Sequence, residues 1–208
     1  MRRHSAYCGW AVFALATVLL CIAIGNTALA RTRPFAPALQ DSGTRPPPSI
    51  DPPCFDNENR FVDCLNGTVT DVVTGLVWLK DAGCLSTTDW AAGSLHAAGL
   101  ADGSCGLSDG SVPGIWRLPT LAEWRQTIAV ATKMGCSLEG PRIPPALTND
   151  PGTSCMADGP SSFTNVTSSG YWTATTQEQH PNNAWVVSLG GTIDGFVYPA
   201  VKHFALPV

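Results

Sequence analysis

Six cysteines between residues 54 and 155 constrain this chain more than any other feature. They are Cys54, Cys64, Cys84, Cys105, Cys136 and Cys155. An even set of cysteines behind an export signal is typical of disulfides formed in an oxidising compartment. Six cysteines allow 15 pairings, and the sequence alone does not choose among them. We expect nearest-neighbour pairing, with each closed loop contributing about 3 kcal/mol to stability.

The expected export signal occupies the first thirty residues. Arg2 and Arg3 give a positive start, an apolar run follows over residues 10–24, and residues 28–30 read Ala-Leu-Ala, a small-residue cleavage site. The apolar run is too short to span a bilayer comfortably. We therefore predict a signal peptide over residues 1–30, with an uncleaved membrane anchor as the alternative. Cleavage would remove the other two cysteines, Cys8 and Cys21.

The charge of the mature chain excludes several classes of partner. It holds ten Lys and Arg (twelve less Arg2 and Arg3) against sixteen Asp and Glu, a net charge near −6, and it has no basic run. Nucleic acid and, after signal cleavage, the membrane surface are therefore not expected as partners. There is also no C-x-x-C pair, which argues against a zinc site and against a thiol–disulfide oxidoreductase.

The rest of the chain divides into a linker and one folded domain. Residues 31–53 form a Pro-rich segment that ends in RPPPSIDPP, which we expect to be an extended spacer. The domain over residues 54–208 begins with a predicted strand meander over residues 60–62, 68–71 and 76–80, separated by turns at Asn66-Gly67 and Thr74-Gly75.

Two helices and a second group of strands are predicted to follow. The first helix carries Trp90 and Leu95 on its apolar face, is capped by one of residues 86–88 and ends near Gly103. The second begins at the capping box formed by Thr120 and Glu123 and runs to residue 132. A long loop over residues 136–165 precedes strands at 171–175, 184–189, 195–198 and 203–206. We expect an α+β domain of short antiparallel strands, two helices and a long disulfide-tied loop, whose last strand closes back onto the first ones.

Several stretches in this order resemble a known family. They are NGTVTDVVTGLVWLKDAGC, CGLSDGSVPGIWRLPTLAEW, YWTATT and AWVVSL. Together they are similar to the Lcl C-terminal domain of bacterial collagen-like adhesins, over residues 61–208. The resemblance implies a C-type-lectin-like fold and a secreted or surface module for recognition, with sulfated or other glycans as ligands in some members. No Gly-X-Y repeat precedes the domain here, so collagen-mediated trimerisation is not implied.

Catalysis is not predicted. The chain has no G-x-S-x-G nucleophile elbow, and His96, His180 and His203 lie near no acid-rich motif. The lectin-like fold also includes a formylglycine-generating oxidase family, whose chemistry needs late cysteines, but none follows Cys155.

The predicted recognition surface combines the long loop with the turns around residues 177–183. Its candidate ligand-binding residues are Gln177, Glu178, His180, Asn182, Asn183 and Asp158. Asn149 and Asp150 would join some of these as oxygen donors to Ca²⁺. Calcium prefers six to eight oxygens including several carboxylates, few of which cluster here. The Glu-Pro-Asn and Trp-Asn-Asp signatures of calcium-dependent lectins are absent, so we expect no cofactor, with Ca²⁺ as a minor alternative.

The remaining conspicuous residues are predicted to be structural. Arg117 pairs internally with a carboxylate or with backbone carbonyls, and Asp109 turns a loop by accepting from backbone amides. Core packing is the expectation, against stacking on a sugar, for Trp78, Trp116, Trp172 and Trp185.

These expectations define an exported, non-enzymatic module for recognition or adhesion, periplasmic, secreted or at the cell surface. Its partner is a glycan or a surface protein. The alternative is a structural component of the cell envelope or of an appendage that acts by protein–protein contact. The sequence leaves the oligomeric state open.

Overall fold

A computed structural model of the protein describes residues 51–137, 145–190 and 195–208, with the side chain of Phe196 excepted. The predicted signal peptide, most of the predicted linker and part of the long loop lie outside the described residues. The elements are β1 Phe61–Asp63, β2 Thr68–Asp71, β3 Leu76–Leu79, β4 Thr87–Thr88, α1 Trp90–Ala98, α2 Leu121–Lys133, a 3-10 helix Met156–Asp158, β5 Gly170–Gln177, β6 His180–Ser188, β7 Gly195–Val197 and β8 His203–Phe204. They confirm the predicted α+β class with two helices.

The first sheet is the predicted antiparallel meander, in the order β1-β2-β3. Its turns place Gly67 and Gly75 at positive φ (+85° and +74°), a conformation that suits glycine. Val69 and Trp78 face each other across β2 and β3, and both are fully buried. The meander therefore contributes one wall of the main hydrophobic core.

The second sheet has the order β4-β8-β5-β6-β7, and only the β5–β8 pair is parallel. The expectation that the last strand closes onto the first strands is wrong, because β8 lies between β4 and β5. The residues after β8 do reach the meander: the Leu79 amide donates to the Pro207 carbonyl at 3.0 Å, and Val208 exchanges two backbone hydrogen bonds with Arg117. Sequence pattern identifies a strand, whereas its partner depends on contacts between distant segments.

Helix α1 differs from the prediction at both ends. Its N-cap is Asp89, whose side chain accepts from the Ala92 amide at 2.9 Å, because residues 87 and 88 are already paired in β4. The helix ends at Ala98, before the expected position. Its buried residues are Gly93 and Ala97, while Leu95 is 72% exposed. Small residues on the buried face allow α1 to lie close against the second sheet.

Helix α2 has the predicted capping box. The Thr120 hydroxyl accepts from the Glu123 amide at 3.2 Å, and a Glu123 carboxylate oxygen accepts from the Thr120 amide at 2.6 Å. The buried face carries Trp124, whose ring lies 4.8 Å from that of Trp78 and 5.7 Å from that of Tyr171. Helix α2 thus joins the two sheets through an aromatic cluster.

The three disulfides follow the predicted nearest-neighbour pairing: Cys54–Cys64, Cys84–Cys105 and Cys136–Cys155. The last one ties the long loop, as expected. No helix in the described parts of the chain is both long enough and apolar enough to cross a membrane.

Three of the four tryptophans assigned to the core are buried, as predicted: Trp78, Trp116 and Trp172. The fourth, Trp185, is half-buried. It packs against the main core and also lines a surface cleft.

Candidate functional site

The hairpin of β5 and β6 is irregular at its outer end. Trp172 pairs with Val186 and Thr176 with Ala184, so β5 advances four positions while β6 moves back only two. The next pair joins Gln177 to His180, which leaves the extra residues of β6 in a bulge. Bulges bend a strand and re-aim its side chains. Here the bulges make the outer part of the hairpin a surface distinct from the regular sheet beneath it.

The bulged part of β5 is held by both helices. The Trp90 indole of α1 donates to the Thr173 carbonyl at 2.9 Å. The Thr175 hydroxyl accepts from the Leu121 amide at the start of α2 at 3.0 Å, and the Ala174 amide donates to the Pro119 carbonyl at 2.8 Å. The bulged part of β5 is therefore fixed by hydrogen bonds to several separate segments.

Residues 177–183 are more regular in the structure than the sequence predicted. We expected turns throughout this segment, but only residues 178 and 179 form the turn, and β6 already begins at His180. The bulge permits this, because it lets polar, exposed residues continue the strand without facing the core.

A first cleft of about 440 Å³ opens beside the start of β6. The described residues that line it are His180, Asn182, Asn183, Tyr198 and Pro199. Ala184 pairs with Val197 at the end of β7, so Asn183 and Tyr198 come next to each other one position further on. Tyr198 is 72% exposed. Asn182 is exposed and Asn183 is half-buried.

Sequence reasoning missed Tyr198. Its only local signal is an aromatic residue directly before a proline, just past a short strand, where a core position is not expected. The pairing of β7 with β6 makes Tyr198 part of the cleft, because this pairing brings its phenol ring beside the two asparagines. That alignment cannot be read from the local sequence.

A second cleft, also of about 440 Å³, lies at the hairpin turn. Its described lining residues are Thr175, Thr176, Gln177, Glu178, Gln179 and Trp185. The Oε1 atom of Gln177 is buried with no hydrogen-bond partner among the described residues. A buried acceptor of this kind is costly unless a donor reaches it. A ligand hydroxyl or a water molecule would satisfy it.

The sixth predicted residue, Asp158, lies apart from these clefts. It ends the 3-10 helix of the long loop and lines neither cleft. The structure therefore brings five of the six predicted residues to the hairpin, divided between two clefts.

The loop residues considered for calcium hold the loop itself. Asn149 Oδ1 accepts from the amides of Thr153 and Ser154 at 2.9 and 3.1 Å. Asp150 accepts from the amide and the hydroxyl of Ser162, and burial raises the pKa of its carboxyl above the ordinary value. In residues 51–137, 145–190 and 195–208, no group of three or more His, Cys, Asp or Glu side chains is placed to hold a metal ion.

Arg117 and Asp109 have the structural roles predicted for them. Asp109 is buried and accepts from the amide of Ser111 at 3.1 Å, which turns its loop. Arg117 donates to both carboxylate oxygens of Glu123, at 2.8 and 2.6 Å, and to the Leu118 carbonyl. The Arg117 guanidinium, with hydrogen bonds from Thr120, lowers the pKa of Glu123 to about 2. One carboxylate therefore completes the helix cap and anchors the preceding segment.

We expect Arg117→Ala to lower the free energy of unfolding by about 1–2 kcal/mol, because a bidentate, charge-assisted pair is lost from a half-exposed position. Urea unfolding at several pH values measures this. Glu123 has a depressed pKa, so the pair stabilises above pH 4.5 and is lost as the pH falls toward 2. The difference between wild type and variant should shrink over that range. Arg117→Lys, which keeps the charge without the bidentate geometry, should lie between them. A constant difference down to pH 2 would contradict a role through Glu123.

The fold and these clefts define a class of protein: an α+β domain with three disulfides, whose anchored, irregular hairpin presents shallow polar clefts. Compared with known families, the chain matches the family model described as the Lcl C-terminal domain over residues 67–208. The chain belongs to the Lcl C-terminal domain family, as its motifs predicted. Searches of curated proteins and of solved structures found no match.

Membership of this family indicates a non-enzymatic extracellular domain of the adhesin type. The three disulfides fit such a location, since disulfides form and persist in oxidising compartments.

Proposed function

We propose that the protein is an exported recognition module that binds a glycan in the cleft beside the start of β6. The observation that carries this proposal is the exposed ring of Tyr198 next to the amides of Asn182 and Asn183. An aromatic ring offers a flat apolar face to the C–H face of a sugar. Asparagine amides both donate and accept hydrogen bonds, as sugar hydroxyls do. The lining therefore matches the two kinds of surface that a sugar presents.

The anchoring of β5, the strand that pairs with β6, favours this use. Trp90 and Leu121 hold the β5 bulge through hydrogen bonds from two helices. A site on a rigid element loses less conformational entropy on binding than a site on a loose loop. The anchored hairpin would thus present its polar side chains with little reorganisation.

The C-type-lectin-like fold and the export route belong to the same proposal. Support for the fold comes from two helices between groups of strands and from β8, which brings the end of the domain back beside β4 and β5. Support for export comes from the Arg2-Arg3 start, the apolar run and the Ala-Leu-Ala site of the first thirty residues. The mature domain would act in the periplasm or at the cell surface.

We expect Tyr198→Ala to weaken glycan binding at least about tenfold, because the stacking face is lost. A glycan array followed by titration calorimetry on the best ligand measures this. Tyr198→Phe keeps the ring and should bind within about twofold of wild type. Phe55→Ala removes an exposed aromatic ring outside the clefts (Phe55 is 65% exposed) and should have no effect. Equal loss in both alanine variants, or none in either, would count against the cleft.

A structural role through protein contact is the second candidate, and a separate apolar cleft favours it. This cleft of about 230 Å³ is lined by residues that include Val77, Ile115 and Trp116, and Ile115 is 48% exposed. A partner protein could bury this side chain with a gain from the hydrophobic effect. Isolation of the native protein in a stoichiometric complex that Ile115→Asp dissociates would favour this role over glycan binding.

A further inference from the structure

We infer that the glycan is uncharged, rather than sulfated or otherwise anionic. This inference rests on the proposed function and concerns the same cleft. Its basis is the chemistry of the side chains that line the clefts and the position of the basic side chains elsewhere in the described residues.

The described lining of the first cleft carries no fixed positive charge. Among its described lining residues, Asn182, Asn183, Tyr198 and Pro199 are uncharged, and His180 is the one ionisable base. Sulfate and carboxylate groups are bound in proteins chiefly by arginine and lysine, through charge-assisted hydrogen bonds. Without such a partner, an anionic group loses its water shell with no compensation. The cleft therefore disfavours anionic sugars.

The second cleft, at the turn of the same hairpin, disfavours them more strongly. Glu178 is the charged residue among its described lining residues. A carboxylate next to an anionic ligand repels it, and like-charge contacts reduce affinity and discriminate between ligands. A glycan that extends from the first cleft toward the turn would meet this negative charge.

The basic side chains of the described residues serve other purposes or lie elsewhere. Arg60, Lys80 and Arg117 form ion pairs with Asp71, Asp63 and Glu123. The others are Arg125 and Lys133 on α2, and Lys202 between β7 and β8. None of them lines either cleft. Lys202 is exposed and follows Tyr198 by four positions, so it is the basic residue that a test must address.

Hydroxyl-rich neutral sugars suit the lining that is present. Each asparagine supplies a carbonyl acceptor and two amide donors, which matches the mixed donor and acceptor character of sugar hydroxyls. These hydrogen bonds involve no net charge. Binding should therefore be nearly insensitive to salt, in contrast to recognition of a sulfated glycan by basic residues.

The test is a paired glycan array with the mature protein at pH 8, where histidine side chains in general carry little charge. Each neutral oligosaccharide is printed beside the same oligosaccharide carrying sulfate or a uronic acid. We expect the neutral form to bind at least about fivefold more tightly, with less than about a twofold change in Kd between about 50 and 500 mM NaCl. A sulfated form that binds about tenfold more tightly, in a salt-dependent way, would overturn the inference and leave the proposed function standing. If neither form binds, the proposed function itself fails.

Two variants sharpen the outcome. Asn182→Lys introduces a cation at an exposed position of the cleft and should improve binding of the sulfated form relative to the neutral one. Lys202→Gln should leave the preference for the neutral form unchanged. If Lys202→Gln instead abolishes binding of a sulfated glycan, the protein binds an anionic glycan through Lys202, and the inference of an uncharged ligand is wrong.

Discussion

Asp71→Asn is expected to lower the free energy of unfolding by about 3–5 kcal/mol, because it leaves the buried guanidinium of Arg60 without a counter-charge. The two side chains are 5% and 0% exposed. Arg60 donates to both carboxylate oxygens, at 3.1 and 2.9 Å, and to the Thr127 carbonyl of α2 at 2.8 Å. Its guanidinium also lies 4.6 Å from the centre of the Phe61 ring. The pair thus connects β1, β2 and α2, and urea unfolding of the oxidised protein measures its removal.

The double variant Arg60→Met with Asp71→Leu is the matched control. It removes both charges at once and should be less destabilised than Asp71→Asn alone, because no unpaired charge remains in the core. If Asp71→Asn stays within about 1 kcal/mol of wild type, the pair behaves like an exposed one and water reaches Arg60.

Gly67→Ala is expected to cost about 3 kcal/mol or more, through strain and a backbone clash together. Gly67 has φ +85°, where a side chain alone costs about 1–2 kcal/mol. A Cβ there would lie 2.4 Å from the Gly106 carbonyl oxygen and 2.8 Å from the Leu107 Cα, neither of which is a flexible side-chain end. Overpacking of this kind adds about 1–3 kcal/mol. Urea unfolding at neutral pH measures the sum.

Gly75 separates the two causes. It has a similar φ of +74° in the other turn of the meander, and a Cβ there would meet nothing within 4 Å. Gly75→Ala should therefore show the conformational cost alone, about 1–2 kcal/mol. Equal costs at the two glycines would mean that the segment at Gly106 moves aside without loss.

Features built from neighbouring residues were predictable from the sequence. The capping box needs only Thr120 and Glu123 at the right spacing. The nearest-neighbour disulfides close short loops, although the sequence alone did not choose this pairing among the 15 that six cysteines allow. The pairing of Arg117 follows the same logic, since Glu123 is six positions away. Each of these rests on the local chain, and each is present in the structure.

Features built from distant segments were not predictable. Residues 87 and 88 are threonines, whose hydroxyls can cap a helix. Both are paired with β8 in a strand, so the cap of α1 is Asp89. Asp71 reads as the polar end of a strand, and only the pairing of β1 with β2 shows that it is a buried partner of Arg60. The bulges of the hairpin and the position of Tyr198 likewise depend on how β6 aligns with two strands at once. No local pattern carries that alignment.

The hydrogen bonds of Pro207 and Val208 have a consequence for the order of events during synthesis. Strand β3 and the segment before α2 gain these partners only when residues 203–208 have left the ribosome. Leu206 is 1% exposed, so the main core also lacks a member until then. The domain therefore cannot complete its core and its backbone pairing until residues 203–208 are available.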